Sequence, residues 1–237
     1  MSKFIKKFKR SLAIVLSITT FAWALGPVAL LLPTQALAAT AQAGDLIKMD
    51  GLASVYYLGA DSKRYVFPNE TTFMSWYGDF SSVKTIAQSE LESYLLSGEN
   101  VTIRPGTKLV KVTTNKKVYA VETGGVIKWI PDEVTATTLY GADWAKRVVD
   151  VPDAFFGNYT ESATQISATA YPEGTLIKYA GSSDIYVVTS ATATRKFASM
   201  DAFTANRYKE ANIVTAPATI TYTAGTDVAA AESALVD

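Results

Sequence analysis

The chain has 237 residues, 22 basic and 22 acidic side chains, and neither cysteine nor histidine. Without cysteine there is no disulfide framework and no thiolate chemistry. Without histidine there is no Ser-His-Asp or Cys-His catalysis, no His-ligated zinc and no usual general base near neutral pH.

The chain opens on Lys3, Lys6, Lys7, Lys9 and Arg10 with no acidic residue among them, then runs almost unbroken apolar from Leu12 to Leu32. Pro33-Thr34-Gln35 leads into Ala36-Leu37-Ala38, a small-x-small cleavage sequence. This pattern predicts a signal peptide over residues 1–38 and a secreted protein at the cell surface or in the cell envelope. The apolar run also nears the length that spans a bilayer, so an uncleaved anchor is the alternative and the one membrane contact expected. Gly26-Pro27 ahead of Ala-x-Ala favours cleavage. Removing the five basic residues leaves 17 basic against 22 acidic side chains, and 17 − 22 gives −5. With no basic stripe, nucleic acid is not an expected partner.

Three segments then begin alike: Gly44-Asp-Leu-Ile-Lys48, Gly106-Thr-Lys-Leu-Val-Lys111 and Gly174-Thr-Leu-Ile-Lys178. Each leads through a polar turn to a tyrosine-bearing strand, at Val55–Leu58, Val118–Val121 and Ile185–Val188. A second turn leads to Arg64–Phe67, Ile127–Ile130 and Arg195–Phe197. β-Branched and aromatic residues of this kind suit half-buried strands. Gly59-Ala-Asp61 and Gly124-Gly125 stand where a hairpin needs residues tolerant of positive φ. From Val55 to Gly78 the spacing matches Val118 to Gly141 without a gap, and the third copy holds register through Phe203 before gaining one residue ahead of Tyr208.

Asn69, Asp132 and Ser199 share one column, and all three are helix N-cap types. Behind them Phe73, Trp76 and Tyr77, and then Ala136, Leu139 and Tyr140, have the i, i+3, i+4 spacing of a helix face. An apolar stretch closes each unit: Val83 and Ile86, Val148 and Val149, Ile213 and Val214. Ser89 before Glu90-Leu91-Glu92 reads as the cap of a second short helix, with Pro152–Phe156 in the matching place of the next unit.

The expected fold class is α+β, with three tandem units of about 65 residues, each a small antiparallel three-stranded sheet plus a short N-capped helix. Unit one spans 39–105, unit two 106–172 and unit three 173–224. Residues 225–237 read as an Ala-rich, helix-permissive linker or the start of a stalk. Units this small expose much apolar surface alone, so neighbours are expected to pack together.

For a ligand, aromatic platforms are the first candidates. Trp76, Tyr77 and Tyr140 recur at inward positions and read as core, whereas Trp129 alternates with Ile130 and Trp144 has no counterpart. Trp129 and Trp144 are therefore the expected ligand-binding residues. Carboxylates Glu90 with Glu92, or Asp132 with Glu133, have the composition of a glycosidase pair, but their places at helix starts give them structural roles. No catalytic residue is expected. Asp45, Asp50 and Asp61 sit near strand ends without a calcium-loop pattern, and neither metal nor cofactor is expected. The Asn-x-Thr triplets at Asn69, Asn100 and Asn158 read as chance in a bacterial-type chain.

The run Val55-Tyr-Tyr-Leu-Gly-Ala-Asp-Ser-Lys-Arg-Tyr-Val-Phe-Pro-Asn-Glu70 with Trp76-Tyr77, together with Asp150–Phe156 and Ala231–Leu235, resembles repeats in exported, S-layer-like surface proteins of ultrasmall candidate-phyla bacteria. The resemblance covers about residues 40–236 and implies a surface location and a structural or binding role. It implies no catalytic residue. The expected function is an exported, non-enzymatic envelope protein whose partner is envelope polysaccharide or its own copies. The alternative is the wall-targeting part of a cell-wall enzyme.

Overall fold

The computed structural model describes residues 40–232. The leader expected over 1–38 lies outside them, as do residues 233–237 of the Ala-rich tail. Unit one contains β1 (Leu46–Met49), β2 (Tyr56–Leu58), β3 (Lys63–Val66), α1 (Glu70–Trp76), β4 (Val83–Ile86), α2 (Gln88–Ser93) and β5 (Leu95–Asn100). Unit two repeats the order with β6 (Leu109–Val112), β7 (Val118–Val121), β8 (Val126–Ile130), α3 (Glu133–Tyr140), β9 (Val148–Val151), α4 (Asp153–Phe156) and β10 (Thr160–Glu161). Unit three has β11 (Leu176–Tyr179), β12 (Tyr186–Ser190), β13 (Ala193–Lys196), α5 (Met200–Ala205), β14 (Val214–Ala216) and β15 (Thr223–Ala224). The fold is α+β in three similar units. No helix among the described residues is long and apolar enough to cross a membrane.

The antiparallel three-stranded sheet expected for each unit is the centre of a larger mixed one. The sheets run β4-β1-β2-β3-β5, β9-β6-β7-β8-β10 and β14-β11-β12-β13-β15, and the outer strands pair parallel to their neighbours. The closing apolar stretches are the fourth strands: Leu46 pairs with Val83, Leu109 with Val148 and Ile177 with Val214. The capped helix is the crossover that carries the chain from the third strand to the far edge, a connection parallel pairing requires. The returning fifth strand then delivers the chain to the next unit.

The helix column holds in all three copies. Asn69 Oδ1 accepts from the Thr72 amide at 2.8 Å, Asp132 Oδ1 from Thr135 at 2.7 Å and Ser199 Oγ from Ala202 at 3.1 Å. The second short helices exist too, but Ser89 does not cap α2. Ala87 holds the cap position without a side-chain bond, and Ser89 falls inside the helix. In unit two Gly124 and Gly125 carry positive φ as the hairpin requires. In unit one the left-handed residue is Ser62, while Gly59 is needed because a Cβ there would meet the Tyr65 ring at 2.8 Å.

One conserved geometry lies in the half of the unit where the sequences diverge. The buried amides of Ala41, Ile103 and Tyr171, each three residues before a unit's opening glycine, donate to a side chain late in the unit which that glycine opens. The acceptors are Glu90 Oε1 at 2.7 Å, the Tyr159 hydroxyl at 3.0 Å and the Tyr222 hydroxyl at 2.7 Å. A buried amide left unpaired would cost about 1–3 kcal/mol, so three unlike residues serve one need.

Both faces of the sheets are buried. The α1 face of unit one holds Leu46, Val55, Phe67 and Phe73, and the opposite face holds Ile47, Leu58, Ile86 and Leu91. Between units two and three the core is continuous: Leu139 and Tyr140 of α3 share one cluster with Ile177, Val188 and Val214. Residues 225–232 do not start a helix. They run extended along unit three, with Val228 fully buried and bridged to Phe197, and with its amide and carbonyl bonded to Lys196 and Ala198.

The unit openings of two and three meet backbone to backbone. A Cβ on Gly106 would lie 2.2 Å from the carbonyl carbon of Gly174, whereas at Gly44 nothing lies within 4 Å; both carry positive φ. Gly106→Ala is expected to destabilise by about 3 kcal/mol or more and Gly44→Ala by about 1 kcal/mol, measured by urea unfolding. Equal losses would contradict the close approach.

Burial also makes the fold sensitive to alkali. It is the main cause raising the hydroxyl pKa of Tyr140, Tyr159, Tyr171, Tyr208 and Tyr222. Above about pH 10 the unfolded chain ionises these groups while the folded chain keeps their protons, so stability is full below that pH and falls above it. Lys209, lowered by burial, acts in the opposite sense and is outnumbered by these tyrosines. The urea midpoint is expected to fall from pH 9.5 to 11, with part of the tyrosinate absorbance appearing only on unfolding.

Candidate ligand cleft where the three units meet

The units are tied by cations that donate to backbone carbonyls at helix ends. A helix leaves its last carbonyls without intrahelical partners, and a cation there is favoured by the helix dipole. Arg104, only 2 % exposed, comes from the link into unit two and donates from Nη1 to the Arg207 carbonyl at 2.7 Å and from Nη2 to the Asn206 carbonyl at 2.8 Å. Its guanidinium lies 3.8 Å from the Tyr208 ring centroid and 5.3 Å from that of Trp76. Lys209 of unit three donates to the Met74 and Tyr77 carbonyls at the end of α1. Arg147 of unit two donates to the Asn212 and Ile213 carbonyls of unit three at 3.2 Å each. Burial lowers the pKa of all three cations from their ordinary values.

The one-residue gain in unit three explains why these carbonyls are available. α5 ends at Ala205, and the added residue is absorbed by Arg207 in the left-handed region at φ 58°. Tyr208 thereby returns to pack on Phe197 and Phe203, much as Tyr77 packs on Phe67 and Phe73. The bulge presents the Asn206 and Arg207 carbonyls to Arg104, and the Arg207 side chain reaches back to the Tyr77 hydroxyl at 2.7 Å.

This junction frames a cleft of about 960 Å³ lined by all three units. Unit one supplies Tyr57, Tyr65, Trp76, Tyr77 and, from β5, Glu99; the link supplies Arg104. Unit two contributes Thr123, Asn158 and Thr160 beside the glycines at 124, 125 and 157, and unit three contributes Glu173, Arg195 and Tyr208. The Trp76 indole N–H donates to the Thr102 carbonyl at 2.8 Å, which fixes the ring at the cleft wall. The Tyr65 hydroxyl donates to Asp61 Oδ2 at 2.9 Å, and this bond raises the Tyr65 pKa. Asp61 is held below the usual carboxylate range, chiefly by the Lys63 amide. Arg195 is bound to Glu232 at 2.6 and 2.8 Å and to the Thr226 carbonyl at 2.6 Å, so the C-terminal segment anchors one wall.

The residues named from sequence fall differently. Trp129 and Trp144 do not line the cleft. Trp129 is half-buried against the Tyr119–Ile127 cluster beneath Lys117, and Trp144 packs on the cluster shared by units two and three. Tyr140 is buried core, whereas Trp76 and Tyr77 combine packing with a place in the cleft wall. Glu90 takes the Ala41 amide, Glu92 bonds Gln88, and Asp132 caps α3, with Glu133 beginning that helix. Asp45 binds Lys84, and among the described residues no group of three or more acidic side chains gathers to hold a metal. Sequence reasoning passed over Arg104, Tyr65, Glu99 and Glu173. The available signal was Arg104, where the matching positions hold Gln42 and Pro172.

Comparison with known protein families, with curated proteins and with solved structures finds no match for this chain.

Lys209→Met keeps the packed stem and removes the ammonium that caps α1. A loss of about 1–2 kcal/mol is expected in urea unfolding, and no loss would contradict the assigned role.

Proposed function

We propose that the protein is an exported component of the cell envelope that binds a glycan strand, without turning it over, in the cleft between its three units. The observation that carries this reading is the cleft lining itself, which brings together Tyr57, Tyr65 and Trp76 of unit one with Thr123, Gly124 and Asn158 of unit two. Sugar rings pair an apolar face with a rim of hydroxyls, and a lining of aromatic rings beside hydroxyl and amide side chains suits both. The signal-peptide pattern of residues 1–38 and the resemblance to exported surface repeats support the location. The structural duties of Glu90, Glu92 and Asp132 support binding rather than hydrolysis by those carboxylates.

Repetition by itself suggests three weak sites acting through avidity. The cleft supports a single composite site instead, since each unit contributes a different wall. Calorimetric titration with soluble envelope glycan fragments is expected to give one site per chain and no release of new reducing ends. Tyr65→Ala, at a half-exposed hairpin position, is expected to weaken binding about tenfold, the worth of one stacked ring, while leaving the thermal midpoint nearly unchanged. Binding unaffected by this change, or a stoichiometry of three, would contradict the composite site.

A further inference from the structure

The charges in the cleft wall restrict which glycan fits. Two cations line it, and both are already engaged within the protein. Arg104 gives its two terminal nitrogens to the Asn206 and Arg207 carbonyls and lies against Tyr208. Arg195 is spanned by Glu232, the Thr226 carbonyl and the Asp227 carbonyl. Each is thus turned toward protein oxygens, and an incoming anion would have to displace them.

The carboxylates differ. Asp61 is tied to the Lys63 amide and ammonium and to the Tyr65 hydroxyl. Glu99 and Glu173 also line the cleft, from β5 of unit one and from the opening of unit three. Neither takes part in a described salt bridge. Both Tyr65 and Glu99 line the cleft, and the Tyr65 hydroxyl, whose pKa is raised chiefly by its bond to Asp61, is raised least by the charge of Glu99. The wall therefore presents negative charge beside aromatic faces, and both attract a cation.

We propose that the cleft selects glycans carrying unacetylated amino groups, with Glu99 and Glu173 receiving the ammonium groups, and rejects uronic-acid or phosphate-bearing strands. This inference rests on the glycan-binding reading above and names the chemical class of its ligand. The charge of the ligand, rather than its ring shape, becomes the larger source of discrimination.

The test uses three tetrasaccharide probes that differ in charge: tetra-N-acetylglucosamine, its fully de-N-acetylated form and tetragalacturonate. Each is titrated into the intact protein at about 20 mM salt and again near 500 mM. The expected result is that the amine form binds about tenfold more tightly than the acetylated form at low salt and that the uronate does not bind. The tenfold gap should shrink at high salt, where the Debye length falls to a few Å. Glu99→Gln with Glu173→Gln should abolish the gap between the amine and acetylated probes, and a gap that survives both changes overturns the charge assignment. Equal binding of amine and acetylated forms, or tighter binding of the uronate, overturns the charge assignment and leaves glycan binding standing. Failure of all three probes to bind overturns both readings.

Discussion

A buried guanidinium donating to two backbone carbonyls is the interaction on which the rest of this structure depends. Arg104 leaves the link between the first two units, crosses the rings of Trp76 and Tyr208, and ends on the carbonyls just past α5. Arginine suits the place because its planar fork meets two acceptors at once while its face stacks on aromatic rings. Hydrogen bonds to a charged group are worth about 1.5–3 kcal/mol each, and those carbonyls, once buried, would be costly to leave bare. Lys209 and Arg147 repeat the device at two other helix or turn ends. The units are thus locked by cations on carbonyls as well as by a continuous apolar core between the second and third.

Symmetry is broken where the lock forms. The residue gained in unit three places Arg207 in the left-handed region, which restores Tyr208 to the aromatic cluster and exposes two carbonyls at once. A strictly repeated third unit would continue its helix face as unit two does through Tyr140, ending at Gly141. The irregularity joins three similar units around a cleft that all three line. The same logic applies at the C-terminus. The Asn206 side chain bonds the Ala230 carbonyl and the Glu232 amide, so the segment past Gly225 becomes part of unit three and of the cleft wall through Arg195.

Much of this was legible from residue order alone. The three units, the strand meander and the shared cap column of Asn69, Asp132 and Ser199 are local features, and local features are written in periodicity and residue type. The fourth and fifth strands were not legible as strands. Pairs such as Val83 and Ile86 are too short to show an alternation, and parallel pairing across a helical crossover is a non-local event. The cleft was harder still. Trp129 stood out because it alternates with Ile130 and Trp144 because it lacks a repeated counterpart, yet they pack on clusters within the body. Trp76 and Tyr77 looked like core because they recur, and they are both core and wall. A residue's place in its own unit does not reveal what the neighbouring unit leaves uncovered.

Arg104 and the added residue of unit three were both visible as departures from the repeat, and their meaning came only from their meeting across about a hundred positions of chain. The measurement that bears most directly on this account is amide hydrogen exchange, read by mass spectrometry, in the intact protein and in Arg104→Met, where the stem is kept and the charge removed. Local opening reports on the stability of the segment that opens. The account predicts faster exchange at the two helix ends the lock joins, residues 73–78 and 206–213, with β6–β8 little changed. Unchanged exchange at both helix ends would show that the units hold together without Arg104 and would contradict the account.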